Sequence, residues 1–267
     1  MRISFVGAGN VAWHLAQALE QAGHHIIEIF SRHKSHARSL AHKLYDTQVV
    51  SDLDFSESEA EVIILAVPDD AHASVMSQIV LPENCLLVHT SGTKSLSHLE
   101  ELVEIYSDVP AQTGVFYPLQ TFSKEVAIDF SKVPICIEAS SHEAEQILVQ
   151  LAHDLSDVVY LMTSQERKVV HLAAVFACNF TNHLLAISKQ LLEREQLEFE
   201  LLKPLISETI RKALQAPDPA LVQTGPARRG DYRTIEAHLD YLQTSPDWQR
   251  LYEMLTEGII KQQTLHQ

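Results

Sequence analysis

The sequence predicts an α/β fold in which a mostly parallel sheet domain at residues 1–162 precedes an all-α domain at residues 163–267. In the first region, apolar β-rich runs alternate with helical patterns, which is typical of parallel βαβ units. From Thr163 onward, long helical segments follow without a convincing strand, and Thr163 and Glu166 have the spacing of a capping box. The five β-rich runs are residues 3–6, 25–30, 62–67, 85–89 and 133–138.

Length and composition agree with two soluble globular domains. A chain of 267 residues exceeds the usual domain size of about 100 to 200 residues, and 46% of it is hydrophobic against 21% charged. The 35 acidic residues outnumber the 20 basic ones and give a formal charge of −15, which repels nucleic acids and anionic membranes. We therefore expect neither a nucleic-acid partner nor a membrane partner.

The three cysteines lack the spacing of a disulfide framework or a zinc site. Cys85, Cys136 and Cys178 stand far apart in apolar stretches, which predicts small buried side chains in a reducing compartment. We expect no metal. The apolar run at residues 3–6 is too short for a signal peptide or a membrane anchor, so a cytoplasmic location is the default expectation.

The first strand is predicted to lead through a glycine loop into a helix. Apolar residues recur at helical spacing after the loop and stop at Gly23, a natural helix terminator. The sequence therefore predicts a strand, a helix and a second strand in direct succession. The helical pattern consists of Val11, Leu15, Ala18, Leu19 and Ala22.

The loop sequence Gly7-Ala8-Gly9-Asn10-Val11-Ala12 indicates a dinucleotide site. Gly7 permits a tight turn, and Gly9 allows the backbone to approach a pyrophosphate. A helix that begins near Asn10 offers unpaired amides and a positive dipole end to that anion. Ala12 stands at the third glycine position, where a small residue still allows helix and strand to pack closely. The sequence therefore predicts a Rossmann-type domain that binds its cofactor through Gly7, Ala8, Gly9, Asn10 and Val11.

The end of the second strand favours NADP over NAD. An NAD enzyme usually places Asp or Glu there to bind the ribose hydroxyls, but this chain has Ser31 and Arg32. These two side chains, with help from Lys34 or Ser35, could bind a 2′-phosphate through charge-assisted hydrogen bonds. The alternative is that Arg32 is a solvated loop cation.

Two further strand ends are predicted to reach the same crevice, because ligands of open α/β sheets bind beyond the carboxyl ends of the strands. The backbone of Ala66, Val67 and Pro68 could pass the cofactor ribose. Asp69 or Asp70 would then cap the next helix.

The second of these loops is His89-Thr90-Ser91-Gly92. Its hydroxyls and amides, chiefly those of Thr90, Ser91 and Gly92, could meet the nicotinamide amide or a substrate carboxylate. The alternative is that Thr90 or Ser91 simply caps the helix near Leu96. The following stretch, residues 116–132, contains Pro118 and scattered polar residues and is predicted to cross irregularly near the domain junction.

A polar stripe is predicted on the first helix of the second domain. Placed at 100° per residue, Lys168, His171, Val175, Asn179 and Asn182 fall within an arc of about 80°. The rest of this helix is apolar, which predicts a central, buried helix whose polar residues form either a structural network or the wall of a cleft. The apolar residues are Val169, Val170, Leu172, Phe176, Phe180 and Leu184.

The last feature is the loop Thr224-Gly225-Pro226-Ala227-Arg228-Arg229-Gly230-Asp231. Arg229 could clamp an anionic substrate, while Asp231 pairs with it or caps the following helix. The alternative is a structural pair of Arg and Asp that fixes the loop.

Together these motifs resemble those of bacterial Rossmann-like proteins that carry a helical C-terminal domain of unknown function. The resemblance rests on GAGNVA at 7–12, HTSG at 89–92, YPLQTF at 117–122, HLAAVFACNFTNHL at 171–184 and TGPARRGD at 224–231. It implies an NADP oxidoreductase similar in architecture to pyrroline-5-carboxylate reductase, deazaflavin-dependent NADP reductases, and 6-phosphogluconate and 3-hydroxyisobutyrate dehydrogenases. It also implies a homodimer formed through the helical domain.

The family's motifs carry over to named positions of this chain. The loop motif falls on Gly225, Pro226, Arg229 and Asp231, and the helix motif on His171, Ala174 and Asn179. Two positions depart from related patterns. Tyr117 stands where relatives often have His, and Leu172 follows Lys168 at the spacing where the hydroxyacid dehydrogenases have Asn.

These observations favour an NADP-dependent oxidoreductase that moves a hydride between nicotinamide and a small carbonyl, imine or hydroxy compound in the interdomain cleft. His171 is the first candidate acid or base, with Lys168 nearby, Asn179 and Ser91 as positioners and Arg229 as the anion clamp. Gly92, Tyr117, Asn182 and Asp231 complete the predicted substrate region. The alternatives are an NADP-binding sensor without turnover and a reductase that passes hydride to a deazaflavin or flavin.

Overall fold

The computed structural model describes the backbone of residues 1–265 and the side chains of residues 1–262. Contacts divide the chain into two compact units, residues 1–178 and a second unit that begins at Asn179. The predicted boundary at residue 162 coincides with the end of the sheet, whose last strand ends at Leu161. The helix that follows that strand is fastened to the sheet by Arg167, which explains why it belongs to the first unit.

The first unit contains one sheet of eight strands in the order β3-β2-β1-β4-β5-β6-β7-β8. Neighbouring strands are parallel except for β6 and β7, which are antiparallel. The α/β class with a mostly parallel sheet is therefore confirmed. The strands are β1 (Arg2–Val6), β2 (His25–Phe30), β3 (Gln48–Val49), β4 (Val62–Leu65), β5 (Leu86–His89), β6 (Gln112–Pro118), β7 (Ile135–Ala139) and β8 (Val159–Leu161).

The five predicted runs correspond to β1, β2, β4, β5 and β7, but the last run is parallel to β8 only and is antiparallel to β6, contrary to the expected parallel units. The connection before β7 has a 3₁₀ turn at Phe130–Lys132 and no crossover helix, so the chain returns antiparallel to β6. Strands β3, β6 and β8 were not predicted from the sequence pattern. Strands β3 and β8 are two and three residues long, and β6 contains Gly114 and Pro118, which are residues that weaken a strand pattern.

Helices cover both faces of the sheet. Along β1, Ile3 and Phe5 pack with α1, whereas Val6 packs into the core on the opposite face. Each fully buried side chain of this size contributes about 1.5–3 kcal/mol. Helix α1 ends before Gly23, which has a φ of +92°, as its pattern predicted. The helices of this unit are α1 (Asn10–Gln21), α2 (Lys34–Ala41), α3 (His72–Met76), α4 (Leu96–Tyr106), α5 (His142–His153) and α6 (Ser164–Ala174), with a 3₁₀ turn at Asp69–Ala71.

The second unit is helical throughout its described residues, which contain no strand. The all-α character predicted for this part of the chain is therefore confirmed. Its helices are α7 (Thr181–Arg194), α8 (Lys203–Gln215), α9 (Pro226–Arg229), α10 (Tyr232–Tyr241) and α11 (Pro246–Leu265), with 3₁₀ turns at Phe199–Leu202, Pro219–Val222 and Leu242–Thr244.

The helical run Ser164–Arg194 differs from its prediction in two ways. Five of the six apolar side chains that were predicted to be buried are exposed, with exposed fractions of 57% for Val169, 58% for Leu172 and 63% for Phe176. The reason is that the single chain packs little against this face.

By length and composition the run could cross a membrane, and 6% of its most apolar window is buried. One such helix is weak evidence, because core helices of soluble proteins have the same composition.

A π-helical segment, Val175–Phe180, interrupts this run. A π turn is wider than an α turn and takes a smaller angular step per residue. The constant 100° step assumed for the polar stripe therefore does not hold across this segment.

The cysteines follow their prediction in two cases of three. Cys85 and Cys136 are buried, and burial raises the pKa of each thiol to about 11. Cys178 is exposed, contrary to the prediction, because it lies in the π-helical segment whose side chains face away from the core.

Candidate active site

Gly7 is held by close contact between two strand ends. Its φ is +112°, and its amide donates to the carbonyl of Phe30 over 2.8 Å. A Cβ atom on Gly7 would lie 2.2 Å from the carbonyl oxygen of Ala66. Both the backbone conformation and the space therefore require glycine here.

Gly9 leaves the start of α1 open to a ligand. It precedes the helix with extended backbone, and a Cβ atom on Gly9 would meet no atom of the described residues within 4 Å. Across residues 1–262, no side chain hydrogen-bonds to the N-terminus of this helix as a cap, so its first amides remain for an anion. Ala12 is fully buried, as its place in the motif predicts.

A cavity of about 650 Å³ lies against this loop. It joins the predicted residues of three strand ends in one place, which fits the shape and chemistry of a dinucleotide. The predicted residues that line it are Gly7, Ala8, Gly9, Ser31, Arg32, Ala66, Val67 and Pro68. Polar residues that the sequence analysis missed also line it, namely His33, His36, Asp70, Ser74 and Gln78.

Four other residues of the cofactor prediction lie outside the lining of this cavity, namely Asn10, Val11, Thr90 and Ser91. The side chain of Asn10 donates to the carbonyl of Phe122 over 2.9 Å, which ties α1 to the segment after β6. Val11 follows in the first turn of α1. Thr90 donates its amide to the carbonyl of Leu65 over 3.3 Å.

The loops after β4 and β5 are joined by a carboxylate. The side chain of Asp69 accepts a short hydrogen bond from the hydroxyl of Thr93. Burial raises the pKa of Asp69, but hydrogen bonds from Thr93 and Ser91 and the positive charges of His72 and Lys94 lower it overall. Asp69 therefore fixes the position of the second loop relative to the first.

The capping roles predicted for these loops were wrong. Helix α3 has no side-chain cap among the described residues, because a 3₁₀ turn precedes it and the carboxylate of Asp69 points to Thr93 instead. Helix α4 is capped by Ser95, whose hydroxyl accepts from the amide of His98 over 3.1 Å. Ser91 stabilises its own loop by accepting from the amides of Thr93 and Lys94, at 3.1 and 2.9 Å.

Gly92 packs against a pair formed by Tyr117 and His171. The phenol oxygen of Tyr117 lies 3.0 Å from Nδ1 of His171. A Cβ atom on Gly92 would lie 2.6 Å from that nitrogen and 2.9 Å from Cζ of Tyr117. Burial and the nearby Cys136 raise the pKa of Tyr117 to about 12, although Arg167 opposes this shift, so the phenol keeps its proton at neutral pH.

Sheet register explains why Gly92 and Tyr117 meet. His89 pairs with Leu65 on one side and with Val115 on the other, all in parallel strands. Their carboxyl ends therefore share one edge of the sheet. Gly92 lies three residues beyond His89, and Tyr117 lies two residues beyond Val115.

A buried arginine places His171 at this edge. Arg167 is fully buried and donates to Glu138 over 2.5 Å and to the carbonyl of Lys94 over 2.6 Å. The predicted capping box of Thr163 and Glu166 is also present at the start of α6. Since positions i and i+4 share a helix face, fixing Arg167 also fixes His171. Arg167 was not among the predicted site residues, although its spacing of four residues from His171 was a signal.

Three histidines pack together beneath the β5 loop. The ring centroid of His72 lies 5.6 Å from that of His89 and 5.9 Å from that of His98. Nδ1 of His89 accepts from the amide of Ser91 over 3.1 Å. Burial, with the charges of His72 and Arg167, lowers the pKa of His89 to about 3. Across the described residues, no group of three or more His, Cys, Asp or Glu side chains could hold a metal ion.

The remaining predicted residues are exposed or serve their own loop. Lys168 is exposed on α6, and Asn179, Asn182 and Arg229 are exposed in the second unit. Asp231 caps α10 by accepting from the amide of Thr234 over 3.2 Å. Two roles were considered for Asp231, pairing with Arg229 and capping the following helix. The structure shows the second role.

Family comparisons agree with this architecture. Residues 2–91 match the family model described as NADP oxidoreductase coenzyme F420-dependent, and residues 133–259 match a domain of unknown function, DUF2520. A glycerol-3-phosphate dehydrogenase [NAD(P)+] of Legionella pneumophila is 25% identical over 203 residues. That alignment covers 70% of this chain and 58% of the Legionella protein.

Similar solved structures cover nearly the whole chain. A reductive aminase from Aspergillus terreus, in complex with NADPH and ethyl levulinate, is 12% identical with a TM-score of 0.71, covering 98% of this chain and 94% of its own. A pyrroline carboxylate reductase from Plasmodium falciparum, with NADP bound, is 12% identical with a TM-score of 0.61, covering 97% and 98%. At this identity, both show similarity of fold alone.

A further structure is much closer in sequence. A protein from Bacteroides fragilis, described as a "putative NADP oxidoreductase", is 42% identical over 97% of this chain and 98% of its own, with a TM-score of 0.88. The chain therefore belongs to the same family as this Bacteroides fragilis protein, and it combines an NADP oxidoreductase domain with a C-terminal domain of unknown function.

Proposed function

We propose that this protein catalyses NADP-dependent oxidation or reduction of a small carbonyl, imine or hydroxy compound, with His171 as the acid or base. One observation carries the proposal. The Tyr117–His171 pair and the glycine-loop cavity both lie at the carboxyl edge of the same sheet, in the same compact unit. Cofactor sites of open α/β sheets form at this edge.

The glycine loop and its neighbours supply the cofactor site. Gly7 and Gly9 allow the backbone to approach the pyrophosphate, and the open amides at the start of α1 would bind it. Arg32 and Ser31 would bind the 2′-phosphate. NADP supplies the hydride chemistry when bound, and the protein supplies position and one proton.

His171 is the group best placed to handle that proton. The phenol oxygen of Tyr117 lies 3.0 Å from Nδ1 of His171 and can accept a hydrogen bond from a protonated Nδ1, which leaves Nε2 to exchange a proton with the substrate. Reduction of a carbonyl or imine adds one hydride and one proton. The doubly protonated imidazole of His171 would donate the proton from Nε2 and become a neutral imidazole that keeps its proton on Nδ1. Solvent would then reprotonate the imidazole. In oxidation, Nε2 would accept the proton instead.

Other predicted residues have supporting roles in this proposal. The hydroxyl of Ser91 is used by its own loop, so Ser91 positions Gly92 beside the pair. Lys168, Asn179, Asn182 and Arg229 remain candidates for contacts with substrate. Their exposure leaves each of them accessible to a ligand.

We also propose that the protein is a cytoplasmic homodimer formed through its helical domain. Support comes from the exposed apolar side chains of the helical run, such as Leu172 and Phe176, and from Leu205 and Leu214 on α8. Apolar surface of this extent is typical of a face that is covered by another protein. Sedimentation equilibrium should give twice the mass of the 30.0 kDa chain. A monomer at micromolar concentration would contradict this part.

The test of the main proposal separates cofactor binding from turnover. Titrations with NADPH and NADH, followed by nicotinamide fluorescence and thermal shift, should show a clear preference for NADPH that Arg32→Ala removes. Wild type is then assayed for NADPH oxidation with a panel of ketones, aldehydes and cyclic imines.

Two variants test the proton role. His171→Asn should lower kcat about 100-fold or more, within the usual range for loss of an acid–base group, while the Kd for NADPH changes less than twofold. Tyr117→Phe should shift the pH profile of kcat because it removes the hydrogen bond to Nδ1. If neither NADPH nor NADH bound to the protein, the proposal would be refuted. Tight binding without turnover by any panel member would favour the NADP sensor.

A further inference from the structure

Two histidines lie side by side at the end of the cofactor cavity where Arg32 stands. His33 is the N-cap residue of α2, and His36 follows in the first turn. Their ring centroids are 5.3 Å apart with an interplanar angle of 56°, and both rings line the cavity. Both side chains are exposed, so a ligand that enters the cavity can reach them.

The charges around this pair favour an anion. Arg32 lines the cavity beside the pair, and Lys34 and Arg38 lie on the same helix. Asp70 is the one acidic residue in the described lining of the cavity. From the strand packed against α2, Glu28 is already engaged by the hydroxyls of Ser4 at 2.8 Å and Ser58 at 2.5 Å.

We propose that His33 and His36 bind the 2′-phosphate of NADP together with Arg32 and make the preference for NADP over NAD depend on pH. This inference rests on the cofactor site of the proposed function. The α2 N-terminus adds its dipole and first amides to the same location, which favours an anion there.

The direction of the pH effect follows from the charges. Histidine is the side chain whose charge generally changes between pH 5 and 8, and each protonated imidazole that faces a phosphate adds a positive charge to the site. Added positive charge strengthens hydrogen bonds to phosphate oxygens. Asp70, which also lines the cavity, opposes this attraction, and so does protonation of the 2′-phosphate, whose second pKa is about 6. NADH lacks the 2′-phosphate, so its affinity should change little over the same range.

Two pairs of nucleotides measure the effect. The first is NADPH against NADH, and the second is 2′,5′-ADP against 5′-AMP, which is stable in acid and lacks nicotinamide. In the wild type, we expect the affinity ratio within each pair to be about tenfold higher at pH 6 than at pH 8. Calorimetric titration at both pH values gives these ratios directly.

Variants assign the effect to the histidines. His33→Gln and His36→Gln should each weaken the rise of the affinity ratio at pH 6, and the double variant should remove that rise, while NADH affinity remains within twofold. His42→Gln is the matched control, because His42 ends the same helix outside the described cavity lining. Asp70→Asn should raise the affinity for NADPH at both pH values.

The outcomes separate this inference from the proposed function. A preference for NADPH that is equal at pH 6 and pH 8, or that keeps its pH dependence in the double variant, overturns the inference alone. Failure of both NADPH and NADH to bind overturns the inference together with the proposed function.

Discussion

A Cβ atom on Gly92 would lie 2.6 Å from Nδ1 of His171, the nitrogen that faces the hydroxyl of Tyr117. The loop after β5 therefore packs directly on the pair to which we assign the proton. No side chain larger than hydrogen fits at position 92 unless His171 or Tyr117 moves.

Gly92→Ala should separate catalysis from cofactor binding. The added methyl group must displace the ring of His171 or Tyr117, which costs about 1–3 kcal/mol of unfolding free energy as overpacking usually does. Turnover should fall at least tenfold, whereas the Kd for NADPH should stay within twofold. Urea denaturation and fluorescence titration measure the two effects. Gly258→Ala is the control, since its Cβ would meet no described atom within 4 Å. Unchanged turnover in Gly92→Ala would contradict the packing argument.

Gly7→Ala and Gly23→Ala should separate backbone strain from a steric clash. Both glycines have positive φ, +112° and +92°, but only Gly7 has a backbone atom in the way, the carbonyl oxygen of Ala66 at 2.2 Å. Gly23→Ala should cost about 1–2 kcal/mol from left-handed backbone alone. Gly7→Ala should cost about 2 kcal/mol more and abolish NADPH binding. Equal losses of stability in the two variants, measured by urea denaturation, would argue against the clash.

The buried histidines should make the protein less stable in acid. Burial lowers the folded-state pKa of His72, and that of His89 to about 3, below the ordinary value of 6.5. A group whose folded pKa is depressed contributes stability that is fully present above pH 6.5 and is lost as the pH falls toward the folded pKa. For His89 the loss approaches about 1.4 kcal/mol per pH unit within this window.

A substitution isolates this effect from the titration of carboxylates. In His89→Asn the amide oxygen can replace Nδ1 as acceptor for Ser91, but the residue no longer titrates. The difference in unfolding free energy between wild type and this variant should shrink by about 1 kcal/mol from pH 7.5 to pH 5.5. His153→Asn, at an exposed position, is the control. A difference that is constant with pH would mean that His89 does not titrate on unfolding.

Arg167→Met should be strongly destabilising. The change leaves the carboxylate of Glu138 and the carbonyl of Lys94 without their buried partner, and loss of one member of a buried pair costs about 3–5 kcal/mol. The double variant Arg167→Met with Glu138→Gln should recover part of this loss, because the unpaired charge is gone. Arg211→Met, which breaks an exposed pair with Glu208, should have little effect on urea denaturation. If Arg167→Met and Arg211→Met lowered the unfolding free energy by the same small amount, the ion pair of Arg167 with Glu138 would not contribute to the stability of the fold.

The sequence by itself determined the first strand–loop–helix unit and its ligand class. Gly7 and Gly9 act through local backbone conformation, and Gly23 and the capping box of Thr163 act within a few residues. Such local preferences are visible in a linear pattern. Arg32 comes two residues after the end of β2, so its position beside the cavity also follows from the order of residues along the chain.

Only the tertiary structure decided which side chains meet. Asp69 follows β4 and resembles a helix cap in the sequence, yet its carboxylate is bound by Thr93, 24 residues later. Tyr117 and His171 are 54 residues apart, and their contact depends on the antiparallel return of β7 and on the ion pair of Arg167 with Glu138. Hydrogen bonds and ion pairs of this kind depend on the distances between folded elements, and sequence periodicity carries no information about those distances.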